Sequence, residues 1–107
     1  MFRFQKVPRV SWPVTIRVPE DGGVIGEKPV TITYKLITHE EFKKLSDEND
    51  IALLKAVVVG FKDFEDENGN PLLFSQENLH DLLQHAFIRM PLFTGYMQAS
   101  AAAPAKN

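Results

Sequence analysis

The densest run of potential metal ligands in the sequence precedes a glycine turn. Its acidic members are Asp63, Glu65, Asp66 and Glu67. A calcium-binding loop with Gly69 as its sixth residue would begin at Phe64 and end at Ser75, where such a loop needs an oxygen ligand and a bidentate glutamate. Neither residue meets that need. The run therefore predicts a solvated turn with acidic flanks.

Histidine and serine are not arranged as a catalytic or metal site either. His80 and His85 are five residues apart, whereas side chains share a helix face at spacings of three or four. The sequence contains no cysteine. Ser75 precedes a helical pattern and lacks the glycines of a nucleophile elbow, so it is typical of a helix N-cap. We therefore expect no enzymatic activity, no cofactor and no metal.

The composition is typical of one small folded domain. The chain has 107 residues, 44% of them hydrophobic, and a net charge of −2. This charge balance disfavours nucleic-acid binding, which relies on dense positive charge. The first residues lack the apolar core of a signal peptide, and the longest apolar runs are far shorter than the roughly 20 residues that span a bilayer. We expect one domain over residues 1–98 and a flexible tail of small residues over 99–107.

Stepwise alternation of apolar and polar residues predicts a β-hairpin near the start of the chain. Residues 14–18 alternate strictly, and residues 30–37 do so again. The intervening Asp21-Gly22-Gly23 has turn chemistry. We expect a hairpin over residues 13–37, with a loose loop over 20–29.

The rest of the chain changes to helical spacing. The predicted helices cover residues 39–45, 47–59, 76–90 and 92–99. Thr38 and Glu41 form a capping box at the start of the first helix. Gly60 ends the second helix. Pro91 separates the last two helices because it has no N–H to donate. The fold class is therefore α+β, with the hairpin packed on the helices. Leu79, Leu82 and Leu83 should lie in the core.

Aromatic residues are candidate partner contacts, because they are enriched at binding hot spots. The four candidates are Phe61, Phe64, Phe93 and Tyr96. The simpler expectation for each is burial in the core. The N-terminal segment also contains Phe2, Phe4 and Trp12 without a regular pattern, which favours packing over the sheet or across a subunit boundary.

The stretch from Val57 to Leu83 resembles tail assembly chaperones of long-tailed phages and prophages. The shared features are an aromatic after a glycine (Gly60-Phe61), an acidic pair before an Asn-Gly turn (Asp66-Glu67-Asn68-Gly69), and Pro71-Leu72-Leu73-Phe74-Ser75 leading into a Glu-x-Leu helix start. The hairpin turn Pro19-Glu20-Asp21-Gly22-Gly23 and the last helix, with Tyr96, are similar as well.

The resemblance implies a non-enzymatic chaperone in the cytoplasm of the bacterial host that is absent from the finished virion. Its implied partners are the tape measure protein, whose long hydrophobic helices it keeps soluble, and tail tube subunits that it helps to recruit. We expect no nucleic-acid or membrane partner, and weak self-association. The alternative is a small virion structural or adaptor protein, such as a tail-completion or head–tail joining protein.

Overall fold

The computed structural model describes residues 1–105 and has the expected α+β architecture. The strands are β1 (Arg9–Glu20), β2 (Val24–Lys35) and β3 (Val58–Lys62), and the helices are α1 (His39–Glu48), α2 (Asp50–Val57), α3 (Gln76–Leu83) and α4 (Ala86–Ser100). The three strands form an antiparallel sheet in the order β1-β2-β3. The hairpin packs on the helices, as the sequence predicted.

The hairpin is longer and tighter than its sequence pattern indicated. β1 and β2 pair without interruption from Arg9 opposite Lys35 to Glu20 opposite Val24. The predicted loose loop over 20–29 is wrong, because one 3-10 turn at Asp21–Gly23 closes the hairpin. Both glycines of this turn have φ of 79°, a left-handed conformation that costs glycine little.

A third strand, β3, replaces the predicted end of the second helix. α2 stops at Val57, and residues 58–62 pair with β2 so that Phe61 lies opposite Ile32. The three consecutive valines 57–59 explain the correction, since β-branched side chains are restricted in helices and suit strands. Val58 is fully buried.

The boundary between the first two helices also differs from the prediction. α1 continues to Glu48, and α2 begins only at Asp50. Asn49 makes this break: its N–H donates to the Leu45 carbonyl, and its side-chain oxygen accepts from the Ala52 N–H at 2.8 Å. An asparagine that satisfies both helix ends is a stronger boundary signal than the acidic residues at 47–48.

Pro91 does not break the last helix. The third helix ends at Leu83, well before residue 90, and α4 continues through Pro91 to Ser100. Ile88 and Leu92 on either side of the proline are buried, so packing outweighs the one missing hydrogen bond. Ala99 is also buried, which places the first residue of the predicted tail inside the fold. Residues 106–107 of that tail lie outside the described residues.

The core lies between one face of the sheet and the helices. Its strand residues are Val14, Ile16, Val30, Ile32, Tyr34 and Val58, and its helix residues are Leu53, Leu54, Val57, Leu79, Leu83, Ile88, Leu92, Tyr96 and Ala99. Leu82 was expected in this set but is only half-buried. The opposite sheet face is polar: the Ser11 and Thr33 hydroxyls lie 3.1 Å apart across the hairpin.

Candidate partner-binding surface

The acidic turn is organised by hydrogen bonds within the chain. The Asp66 carboxylate accepts from the N–H groups of Asn68 and Asn70, both at 2.9 Å, and Gly69 takes a φ of 83°. Asp66 therefore stabilises the turn. Within residues 1–105, no group of three His, Asp or Glu side chains is placed to hold a metal ion.

Two of the four predicted contact residues lie together beside this turn. Phe61 of β3 has its ring centroid 4.7 Å from that of Phe64 and 5.2 Å from that of Phe74. All three side chains are only partly buried, and the neighbouring Leu73 is 76% exposed. Phe61, Phe64, Phe74 and Leu73 are called the aromatic cluster below. It offers an apolar surface at one end of β3.

The other two predicted residues lie on α4, and one of them is a core residue. Tyr96 is only 1% exposed. Its ring makes a T-shaped contact with Tyr34, at 5.6 Å between centroids, and stacks on Phe42 at 6.1 Å. Phe93 is partly buried and packs against the core. The four residues thus do not form one surface, and their contact with a partner stays a prediction.

The two core tyrosines fasten α4 to the sheet. The Tyr34 hydroxyl donates to the Leu92 carbonyl at 2.7 Å, and the Tyr96 hydroxyl accepts from the Ile37 N–H at 3.2 Å. Burial raises the pKa of both phenols, and the bond from Ile37 lowers that of Tyr96 in part. Both hydroxyls remain protonated at neutral pH. Their role is to position the helix.

The outward side of α4 is mostly apolar and carries no charged residue. Phe87, Met90 and Met97 are 37%, 59% and 41% exposed, and at 100° per residue they lie on one side of the helix with Thr94. These four residues are called the outer face of α4 below. A helix that is apolar on all sides is normally buried on all sides. The outer face is therefore the candidate partner-binding surface.

The one charged side chain of α4 forms a hydrogen bond within the fold. Arg89 is the only charged residue between Ala86 and Ser100. Its guanidinium donates to the Leu83 carbonyl at 2.8 Å, which satisfies a carbonyl at the C-terminal end of α3. A partner that covered the outer face would therefore not have to remove a charge from water.

A groove of about 490 Å³ continues this surface toward the edge of the sheet. Met90 and Pro91 line one wall, and Pro13 and Arg17 of β1 line the other. Gly95 brings α4 close to the sheet here: a Cβ at this position would lie 2.7 Å from the Tyr34 hydroxyl oxygen and 2.8 Å from a Val14 methyl. The groove therefore depends on a small residue at 95.

Replacing Gly95 with alanine is expected to lower the free energy of unfolding by about 1–3 kcal/mol through overpacking, although alanine raises helix propensity by about 1 kcal/mol. The Tyr34→Phe variant removes the oxygen that the new methyl would meet. The double variant should thus lose less than the sum of the two single losses. Urea unfolding of the four proteins measures this coupling. A Gly95→Ala protein that is more stable than the parent would contradict the close approach.

Sequence reasoning missed the outer face because it divided these residues between a helix over 76–90 and another over 92–99, whereas they belong to one helix. The true signal was the near absence of charge over residues 86–100, which is unusual for a surface helix. No helix among the described residues is long and apolar enough to cross a membrane. No protein-family model matches the chain, and no curated protein or solved structure matches it significantly.

Proposed function

We propose that this protein is a non-enzymatic tail assembly chaperone that binds apolar helical segments of the tape measure protein on the outer face of α4. The observation that supports this most is the uncharged, exposed stripe of Phe87, Met90 and Met97 on a helix fastened to a rigid sheet. An apolar helix can lie along such a stripe and be removed from water.

The chemistry of the stripe suits a partner with many similar segments. Methionine side chains are flexible and polarisable, so they adapt to apolar surfaces of different shape. A chaperone that shields a long, repetitive helical protein needs this tolerance more than it needs one tightly fitted pocket. The resemblance of the Val57–Leu83 stretch to tail assembly chaperones supplies the identity of the partner and the implied recruitment of tail tube subunits.

The remaining surface supports solubility of a coated assembly. The chain has 14 acidic and 12 basic residues. None of them belongs to the outer face of α4, and Arg17 and Glu27 line the adjoining groove. Like charges on neighbouring bound copies keep the coated assembly dispersed. Binding needs no nucleotide, because burial of apolar surface supplies the free energy.

Co-expression with the tape measure protein encoded in the same phage or prophage tests the proposal. We expect the tape measure protein to move from the pellet to the supernatant and to elute together with this chain. The complex should persist at moderate salt, because apolar contacts are not screened by ions. If the tape measure protein still pellets while this chain stays soluble and alone, the proposal fails. Recovery of this chain from purified virions would instead favour the structural or adaptor alternative.

A further inference from the structure

The N-terminal arm, residues 1–7, is basic and aromatic and lies outside the core. Phe2 and Phe4 are 86% and 74% exposed, and they flank Arg3 in a segment without regular secondary structure. Residues 1–9 contain Arg3, Lys6 and Arg9 and no acidic residue. Two large exposed aromatics in one short segment indicate a surface that is covered by another molecule.

A groove of opposite charge lies at the aromatic cluster. It has a volume of about 450 Å³ and is lined by Asp63, Phe64, Glu65 and Pro71. Two carboxylates therefore flank a phenyl ring and a proline, and the exposed Leu73 of the cluster lies nearby in the chain. This combination suits a guanidinium, which pairs with carboxylates and stacks on aromatic rings.

The backbone at Asp63 is held in an unusual conformation beside the groove. Asp63 has a φ of 76°, which is uncommon for a residue other than glycine. Its carboxylate accepts a hydrogen bond from the Thr31 hydroxyl at 3.3 Å. This bond to β2 fixes the carboxylate relative to the sheet, so one wall of the groove is formed before a ligand arrives.

We propose that the arm of one copy of this chain binds in the Asp63–Pro71 groove of a second copy. Arg3 pairs with Asp63 and Glu65 across the Phe64 ring, and Phe2 and Phe4 cover the aromatic cluster. We infer this occupant because the arm and the groove are complementary in charge and in apolar character. The arm provides cations between aromatics, and the groove provides carboxylates beside apolar side chains.

The position of the arm favours binding between copies over binding within one chain. The arm enters β1 at Arg9, which pairs with Lys35 at the end of β2. The groove follows Lys62, which pairs with Thr31 of β2, and the chain there runs away from Lys35. The arm and the groove thus lie toward opposite ends of the β2–β3 ladder, and contact within one chain would require the arm to turn back along the sheet.

Charge reversal tests the contact with the purified full-length chain and no other protein. Sedimentation equilibrium over a series of concentrations should show reversible self-association that weakens as salt rises. Arg3→Glu and Glu65→Lys should each raise the dissociation constant about tenfold, and the double variant should restore it, because the pair is then reversed. Glu48→Lys on α1 makes the same charge change away from the groove and should leave the constant unchanged.

The aromatic part of the contact has its own variant. Phe2→Ser/Phe4→Ser should raise the dissociation constant about a hundredfold, with an unchanged circular dichroism spectrum because both side chains are exposed. A chain that stays monomeric at every concentration, or a double charge reversal that restores nothing, would overturn the proposal. These measurements use no tape measure protein, so they stand or fall independently of the proposed chaperone function.

Discussion

The Met90→Glu/Met97→Glu variant is expected to lose the ability to keep the tape measure protein in solution while it keeps its own fold. Both side chains are about half exposed on the outer face of α4. A glutamate there can remain hydrated in the free protein, but it would have to leave water when an apolar helix covers it. The recovery of soluble tape measure protein should fall to the level seen without this chain.

A matched control separates the position of the charges from their number. Gln76→Glu/Gln84→Glu adds the same charge at the exposed first residue of α3 and at the exposed residue that follows α3, and it should leave the recovery unchanged. The free energy of unfolding should shift by no more than about 0.5 kcal/mol for the methionine variant, because exposed substitutions have small effects. Full solubilisation by the methionine variant would place the binding surface elsewhere.

Leu83→Ala is expected to lower the free energy of unfolding by about 2–5 kcal/mol. Leu83 is fully buried, and its removal leaves a cavity between α3 and the core. Leu82→Ala, at the adjacent half-buried position, should cost only about 1 kcal/mol. Leu82 buries less apolar surface on folding than Leu83, and solvent can fill the space that its side chain leaves. Urea unfolding of the two variants measures the difference. Equal losses would mean that α3 is rotated relative to its described position.

The hairpin was predictable because its pattern has one explanation. Strict alternation over 14–18 and 30–37 suits a sheet with one buried face, and few other structures bury residues with that period. The valines at 57–59 had two explanations. Their spacing with Leu54 favoured a helix, whereas their β-branched side chains favoured a strand. Pairing with β2 decided for the strand from Val58 onward.

The candidate surface was harder to predict because burial depends on neighbours that a local pattern does not contain. Tyr96 and Met97 are adjacent aromatic and apolar residues of one helix, yet Tyr96 lies in the core and Met97 is 41% exposed. Only the packing of α4 against Tyr34 and Val14 explains why one of the two is buried and the other is exposed. Pro91 concealed the helix further, since its usual effect is to end one, and a continuous stripe from Phe87 to Met97 requires that it does not.

The direct junction of α2 and β3 has a consequence for how related chains can diverge. Val57 ends the helix and Val58 begins the strand with no residue between them, and the Val58 N–H still bonds to the Leu54 carbonyl. Inserting or deleting one residue there would turn every later side chain of β3 to the other side of the sheet and move Phe61 away from Ile32. The turn at Asp66–Asn70 follows the last strand and does not set the register of the three-stranded sheet. Length differences among relatives should therefore accumulate in the turn and be absent from the junction.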